Sequence, residues 1–149
     1  MKKVLLFICI ITSTTVVLGQ MKNKLVGKWQ AESREITSMY HDSYQFYSDG
    51  KFIFRPDEYD GLRRILSING IYKIKKDTLF FTPEFTVEVI GGYPVRSEST
   101  TLSDTWEILQ GQTKTFRCNK RIEQSAIIKI NPDYKTFTLD ERTFFKIVK

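Results

Sequence analysis

Apolar and polar side chains alternate along many short segments of this chain, and the alternation predicts β-strands. In KFIFR, Phe52 and Phe54 fall on one face, whereas Ile53 lies with the two charged ends on the other. A period of two is that of a strand, in which successive side chains point to opposite faces. Beyond the first residues, almost no segment has the period of an amphipathic helix.

The predicted strands are rich in Phe, Tyr, Ile, Val and Thr, and Gly, Asp, Asn or Pro separates them. Without a long helix to carry a parallel crossover, neighbouring strands must pair antiparallel. We therefore predict an all-β fold, an antiparallel up-and-down β-barrel of about eight to ten strands, because closing a sheet on itself removes its edges. A β-sandwich remains the alternative. The predicted strands are 44–48, 51–55, 65–74, 78–82, 85–90, 101–109, 125–130, 134–139 and 143–148, after a first strand that begins in LVGKW, residues 25–29.

Short polar links between the predicted strands indicate tight turns. Asp49-Gly50 has the composition of a type I′ hairpin turn, in which both central residues take positive φ. Lys76-Asp77 and Asp140-Glu141 are further tight connections, and Asn131-Pro132-Asp133 predicts a turn because proline presets φ. Gly70, in the middle of a strand, predicts a bulge or a sharp bend.

The first residues, MKKVLLFICIITSTTVVLGQ, combine two lysines, a short apolar run and a small-residue end. This layout predicts a signal peptide at 1–19, cleaved before Gln20, and an exported mature domain at 20–149. A retained anchor is the alternative, although the apolar run is short for a membrane span. Ile8 before Cys9 disfavours lipid attachment, since a lipoprotein cleavage site needs a small residue there.

The net charge limits the kinds of partner that the chain can bind, and the cysteine content limits its disulfide chemistry. The formal charge is +6, and loss of Lys2 and Lys3 with the leader lowers it, so we expect no nucleic-acid partner. The most basic stretch, KTFRCNKR at 114–121, is interpreted as a solvated face. Cys118 is the only cysteine after the leader, which excludes an intramolecular disulfide and favours an inert, buried thiol over a reactive one.

Several motifs occur in an order that resembles the lipocalin-like domains of exported bacterial proteins, of the Bacteroidota type. The resemblance covers about residues 24–148 and implies a calycin-type barrel. It also implies that Trp29, after Gly27, plugs the closed end, and that a basic residue near the last strand, Arg142 or Lys146, packs across the ring. The stretch 83–100 is longer than a simple hairpin of that fold. The motifs are Gly27-x-Trp29, Tyr44-x-Phe46-x-x-Asp49-Gly50-x-Phe52-x-Phe54, Asn69-Gly70-x-Tyr72-x-Ile74-x-x-Asp77-x-Leu79 and Trp106-x-Ile108.

Residues that could carry chemistry are sparse. His41 is the only histidine, and its neighbours Asp42 and Ser43 form no triad, because adjacent strand residues point to different faces. One histidine and one distant cysteine do not make a metal site. The acidic run 57–61 lacks the spacing of a calcium loop. We predict no enzyme, no cofactor and no metal.

Two functions remain open. A small barrel can enclose one hydrophobic molecule when side chains do not fill it, and the alternative is a structural or protein-interaction module with a filled core. Alternation places Leu66, Ile68, Ile74 and Leu139 on the inward face, together with the residues predicted to contact the ligand. These are Phe52, Phe54, Tyr72, Trp106, Ile108 and Phe137.

The leader gives the first testable prediction. Intact-mass measurement of the chain purified from its native host should give a polypeptide that begins at Gln20, because small residues precede that bond. Recovery of a chain that still carries Met1 would contradict the export signal.

Overall fold

The computed structural model describes residues 23–34, 41–58, 60–96, 106–120 and 122–148. The predicted leader, its cleavage site and residues 101–105 of one predicted strand lie outside these ranges. Within them, a helical turn at 23–25 precedes the strands, and no helix is long and apolar enough to cross a membrane. The strands are β1 (Gly27–Ala31), β2 (Ser43–Phe46), β3 (Lys51–Arg55), β4 (Ile65–Lys75), β5 (Thr78–Ile90), β6 (Tyr93–Arg96), β7 (Trp106–Leu109), β8 (Gln112–Arg117), β9 (Gln124–Ile130), β10 (Thr136–Leu139) and β11 (Arg142–Ile147).

Eight of these strands form a closed antiparallel barrel, which confirms the predicted fold class. The order around the barrel is β4-β3-β2-β1-β11-β10-β9-β5, and pairing of β4 with β5 closes it. Every barrel strand pairs with its neighbours in sequence except where β5 meets β9 and β11 meets β1. The barrel is therefore an up-and-down meander, interrupted once by the strands β6, β7 and β8.

Strand β5 is longer than the sequence predicted. The segments 78–82 and 85–90 were expected to be separate strands, but they form one strand that pairs with β4 along most of its length. Pro83 lies opposite Gly70, where the register between the two strands shifts. A proline is tolerated at such an irregularity because the ladder hydrogen bond is already interrupted there.

Gly70 is required at that bend, as the sequence predicted. A Cβ atom on Gly70 would lie 2.2 Å from the carbonyl oxygen of Thr82 and 2.9 Å from the Cα atom of Pro83. Both contacts are with backbone, which cannot move aside as a flexible side chain can. The glycine therefore lets β4 and β5 approach closely at the bulge.

The strands β6, β7 and β8 continue β5 as one bent antiparallel ribbon, here called the ribbon, made of residues 85–96 and 106–117. β5 pairs with β8 up to Ile90 opposite Gln112, and β6 pairs with β7 from Tyr93 opposite Leu109. Two residues intervene on each side, so the register is the same before and after the bend. Gly91 and Gly92 at the bend have φ of 64° and 68°.

The hairpin at Asp49-Gly50 differs from the predicted turn chemistry. At Asp49-Gly50 the hairpin is confirmed but the type I′ turn is wrong, because only Gly50 has positive φ, 90°. The amide of Gly50 donates to the carbonyl of Tyr47 at 3.1 Å, and the amide of Tyr47 donates to Lys51 at 2.9 Å. This is the pattern of a type I turn followed by a glycine bulge.

The two positive φ values that a type I′ turn needs occur instead at Asp140 and Glu141, with φ of 43° and 73°. The predicted turn at Asn131-Pro132-Asp133 is confirmed, since the amide of Tyr134 donates to the carbonyl of Asn131 at 2.9 Å. Tyr134 itself takes φ of 54°, so β10 begins at Thr136, two residues later than predicted.

Substitution of Gly70 tests the close approach of β4 and β5. Gly70→Ala should lower the free energy of unfolding by about 1–3 kcal/mol, the usual cost of overpacking, because the methyl group meets backbone. Lys73→Ala, at an exposed position of the same strand, is the matched control and should change it by less than about 0.5 kcal/mol. Urea denaturation of both variants measures the difference, and equal stabilities would contradict the steric argument.

Candidate functional site

Trp29 lies in the barrel core beside the helical turn that precedes β1. Its side chain is fully buried, and its indole nitrogen donates to the carbonyl of Leu25 at 2.7 Å. Of the two basic residues expected near it, Lys146 is the one that covers the ring, with Nζ 5.1 Å from the ring centroid. A cation over a tryptophan face contributes about 0.5–2 kcal/mol, depending on desolvation.

Gly27 makes room for that lysine. It has φ of 132°, which side chains rarely adopt, and a Cβ atom there would lie 3.1 Å from Cε of Lys146. Glycine is therefore favoured both by its backbone conformation and by the passage of the lysine side chain toward the indole. This is the physical reason for the Gly-x-Trp spacing at the start of β1.

Aromatic side chains occupy the barrel interior above Trp29. Phe137 contacts Trp29 edge to face with ring centroids 4.8 Å apart, and Phe46 contacts Tyr72 at 4.9 Å. Contacts of this kind link rings from all barrel strands except β9, which contributes the buried Ile128 instead. The linked rings are Trp29, Tyr44, Phe46, Phe52, Phe54, Tyr72, Phe81, Phe137 and Phe144.

Four of the predicted ligand-contacting residues lie inside the barrel, and the ring of each contacts another ring of this network. These four are Phe52, Phe54, Tyr72 and Phe137. Phe52 meets Phe81 at 4.9 Å, and the hydroxyl of Tyr72 donates to the carbonyl of Tyr47 at 3.0 Å. Burial, followed by the charge of Asp49, raises the pKa of Tyr72 to about 12. The predicted polar handle of the ligand site is thus engaged with the protein backbone.

The prediction that Trp106 and Ile108 face the barrel interior is wrong. Both lie on β7, which pairs only with β6 in the ribbon, and the Trp106 side chain is 50% exposed. Alternation shows which residues share a face of a strand but not which sheet the strand joins. The sequence pattern was read correctly as a strand and assigned to the wrong sheet.

A small charge cluster lies where β1 ends and where β2 and β11 begin. Arg142 donates to Oδ2 of Asp42 at 2.6 Å and to Oε1 of Glu32 at 3.2 Å, and this bonding raises the pKa of the guanidinium. The other oxygen of Asp42 accepts the amide of Asp57 at 2.9 Å. Arg142 was one of the two basic residues expected to cover the Trp29 ring. Instead it joins the start of β11 to the end of β1 and to the start of β2, and through Asp42 to the β3–β4 loop.

His41 stands at the edge of this cluster, with Nδ1 3.7 Å from Oε2 of Glu32. Tyr44 lies below it, and burial together with Asp42 raises its pKa to about 12, so it stays protonated at neutral pH. Among the described residues, no group of three or more His, Cys, Asp or Glu side chains is placed to hold a metal ion.

An open groove of about 470 Å³ lies outside the barrel, where β3, β4 and β5 meet. Ile53 and Asn69 line it from the outer face of β3 and β4, and their inward neighbours Phe52 and Gly70 also contribute to its lining. Phe85 completes its apolar wall. No sequence signal indicated this groove, because it depends on the bulge between β4 and β5.

The ribbon exposes large apolar side chains that the sequence analysis assigned to the core or left unassigned. The β3–β4 loop packs along the ribbon: Arg64 donates to the carbonyl of Gly91 at the bend, and a Cβ atom on Gly61 would lie 2.1 Å from the carbonyl oxygen of Trp106 beyond it. The exposed ribbon side chains are Phe85, Ile90, Tyr93, Trp106, Leu109 and Phe116.

Comparison of the chain with protein-family models, with curated proteins and with solved structures gives no match.

The two tryptophans provide a matched test of the closed end. Trp29→Ala should lower the free energy of unfolding by about 3–5 kcal/mol, because it removes a fully buried ring. Trp106→Ala removes the same side chain from an exposed position and should cost less than about 0.5 kcal/mol. Chemical denaturation of both variants measures the contrast, and a small loss at Trp29 would exclude its sealing role.

Proposed function

We propose that this protein is an exported, non-enzymatic interaction module, in which a lipocalin-like barrel is the scaffold and the ribbon is the surface that binds another protein. The observation that carries the proposal is the distribution of large apolar side chains. Inside the barrel they contact one another, whereas on the ribbon they face solvent.

The barrel interior supports this function over the enclosure of a ligand. The rings of Trp29, Phe46 and Phe137 are fully buried, and Phe137 contacts both of the others. A ligand inside this layer would have to displace side chains that form the core. Ligand-carrying barrels leave part of their inward layer unfilled.

The exposed side chains of the ribbon support a protein partner. Tyr93, Trp106 and Leu109 are each about half exposed and lie on two paired strands. Aromatic residues are enriched at the buried centres of protein interfaces, where they supply much of the binding energy. Tyr93 and Leu109 lie directly opposite each other and form an exposed apolar pair on one face of the ribbon, and Trp106 is exposed on the other face. Exposed apolar surface marks interaction sites in soluble proteins.

A second candidate function is the binding of a small, mostly apolar molecule, and the outer groove is the observation that favours it. Its volume of about 470 Å³ is in the range of known ligand sites. The groove is lined by Ile53 and Phe85, with the ion pair of Lys51 and Asp49 at one side. In this second candidate function, the ligand binds on the outer face of the barrel rather than in its interior.

Photo-crosslinking in the native host tests the proposed function. A photoreactive phenylalanine analogue at position 106, on the ribbon, should give one dominant protein adduct, because the partner covers that residue. The same analogue at position 127 is the matched control, since Ile127 is also an exposed apolar residue but lies on β9 of the barrel. Mass spectrometry identifies the adducts.

The outcome that contradicts the proposal is the same set of adducts, or none, at both positions. The second candidate has its own readout: an apolar compound that raises the melting temperature of the wild type but not of a Phe85→Lys variant, since lysine would obstruct the apolar wall. That result without a ribbon adduct would replace the interaction module by a small-molecule binder.

A further inference from the structure

Strand β8 has an open edge in the part of the chain that the structure describes. It is the terminal strand of the nine-stranded sheet and pairs there with β5 alone. All six of its residues are exposed, and none is proline. An edge strand presents unpaired backbone groups that can pair with another polypeptide.

The register identifies which backbone groups face outward. The amide of Cys118 donates to the carbonyl of Glu84 at 2.8 Å, and the ladder between β5 and β8 continues without a register shift. Hydrogen bonds to one neighbour alternate along an antiparallel strand, so Phe116 and Lys114 also bond toward β5. The backbone groups of Thr113, Thr115 and Arg117 consequently point to the open edge.

The charge of this edge is positive. β8 carries Lys114 and Arg117 and no acidic residue, and Lys120 follows it. Glu84 and Glu88 lie on β5, the next strand in. Because strands are about 4.8 Å apart, a strand added outside β8 is about twice as far from these carboxylates as from the cations.

We propose that the β8 edge binds an extended, acidic segment of the partner protein as an additional strand of the sheet. This inference rests on the proposed function, since it names how the ribbon engages its partner. The backbone of Thr113, Thr115 and Arg117 supplies the hydrogen bonds, as in known cases of strand addition. Lys114 and Arg117 select acidic residues opposite them, and the exposed Phe116 packs against an apolar one.

A second copy of this chain is a less suitable occupant of the edge. Pairing β8 with itself would bring another Lys114 and another Arg117 to the edge and no carboxylate from β8. Like charges on adjacent strands destabilise pairing. An acidic segment from a partner instead offsets the charge that the edge already has.

The probe is a capped, fluorescent peptide of sequence Thr-Glu-Val-Thr-Glu-Thr-Val-Thr, and the control peptide has lysine at both glutamate positions. Fluorescence anisotropy with the full mature chain should show saturable binding of the acidic peptide only. The affinity should fall as salt is raised, because exposed charges are screened. Amide exchange followed by NMR should show that the acidic peptide slows exchange at Thr113 and Thr115.

Two substitutions at the same position separate backbone pairing from other binding. Thr115→Pro removes an outward amide without touching the ladder to β5, and edge strands tolerate proline. It should lower the affinity for the acidic peptide by about tenfold, the effect of one lost hydrogen bond. Thr115→Ala keeps the amide and should bind like the wild type, and both variants are first checked for unchanged melting temperature.

Three results overturn the inference. The acidic peptide fails to bind, or binds equally to the Thr115→Pro variant, or the outward amides are already protected in a wild-type dimer that Thr115→Pro converts to monomer. Crosslinking at position 106 is independent of this assay. A ribbon adduct without peptide binding leaves the interaction module standing and removes only the strand-addition mode.

Discussion

The pairing of β5 with β4 is the constraint on which the rest of the structure depends. One end of β5 completes the barrel wall between β4 and β9, and the other end, still paired with β4 as far as Glu88, has β8 instead of β9 as its second neighbour. This change of partner needs the register shift at Gly70, where any side chain would meet the backbone of the facing strand. The bulge therefore lies where β4 and β5 close the barrel, where β5 changes its second neighbour and beside the outer groove.

The aromatic content of the chain explains why the barrel acts as a scaffold in the proposed function. Rings from seven strands meet in one layer around Trp29, and the barrel needs this layer because no disulfide can form among the described residues, where Cys118 is the only cysteine. In the proposed function, the protein therefore binds its partner through surface residues and not through the barrel interior. The ribbon and its edge are the part of the described structure where apolar side chains, backbone groups and positive charge are all accessible.

Much of the fold could be predicted because strand formation is local. The strands β3, β4 and β11, the turn after Asn131 and the bend at Gly70 all depend on residues close together in sequence, and the structure confirms them. The candidate site was less predictable. Trp106 alternates with its neighbours as a core residue does, yet its strand joins the ribbon, and the choice between Arg142 and Lys146 at Trp29 depends on a pairing between the two ends of the chain.

The sequence by itself determined an antiparallel all-β fold, the barrel strands and most of their turns, because these follow from side-chain period and turn chemistry, whereas β6 and β8 were not predicted and a β-sandwich stayed open as the alternative. Only the tertiary structure decided that Pro83 lies within one continuous strand, that β6, β7 and β8 form a ribbon outside the barrel, and that the rings contact one another across the interior. The reason is physical: alternation divides a strand into two faces, but the partner of each edge and the surroundings of each face are set by segments far away in the chain.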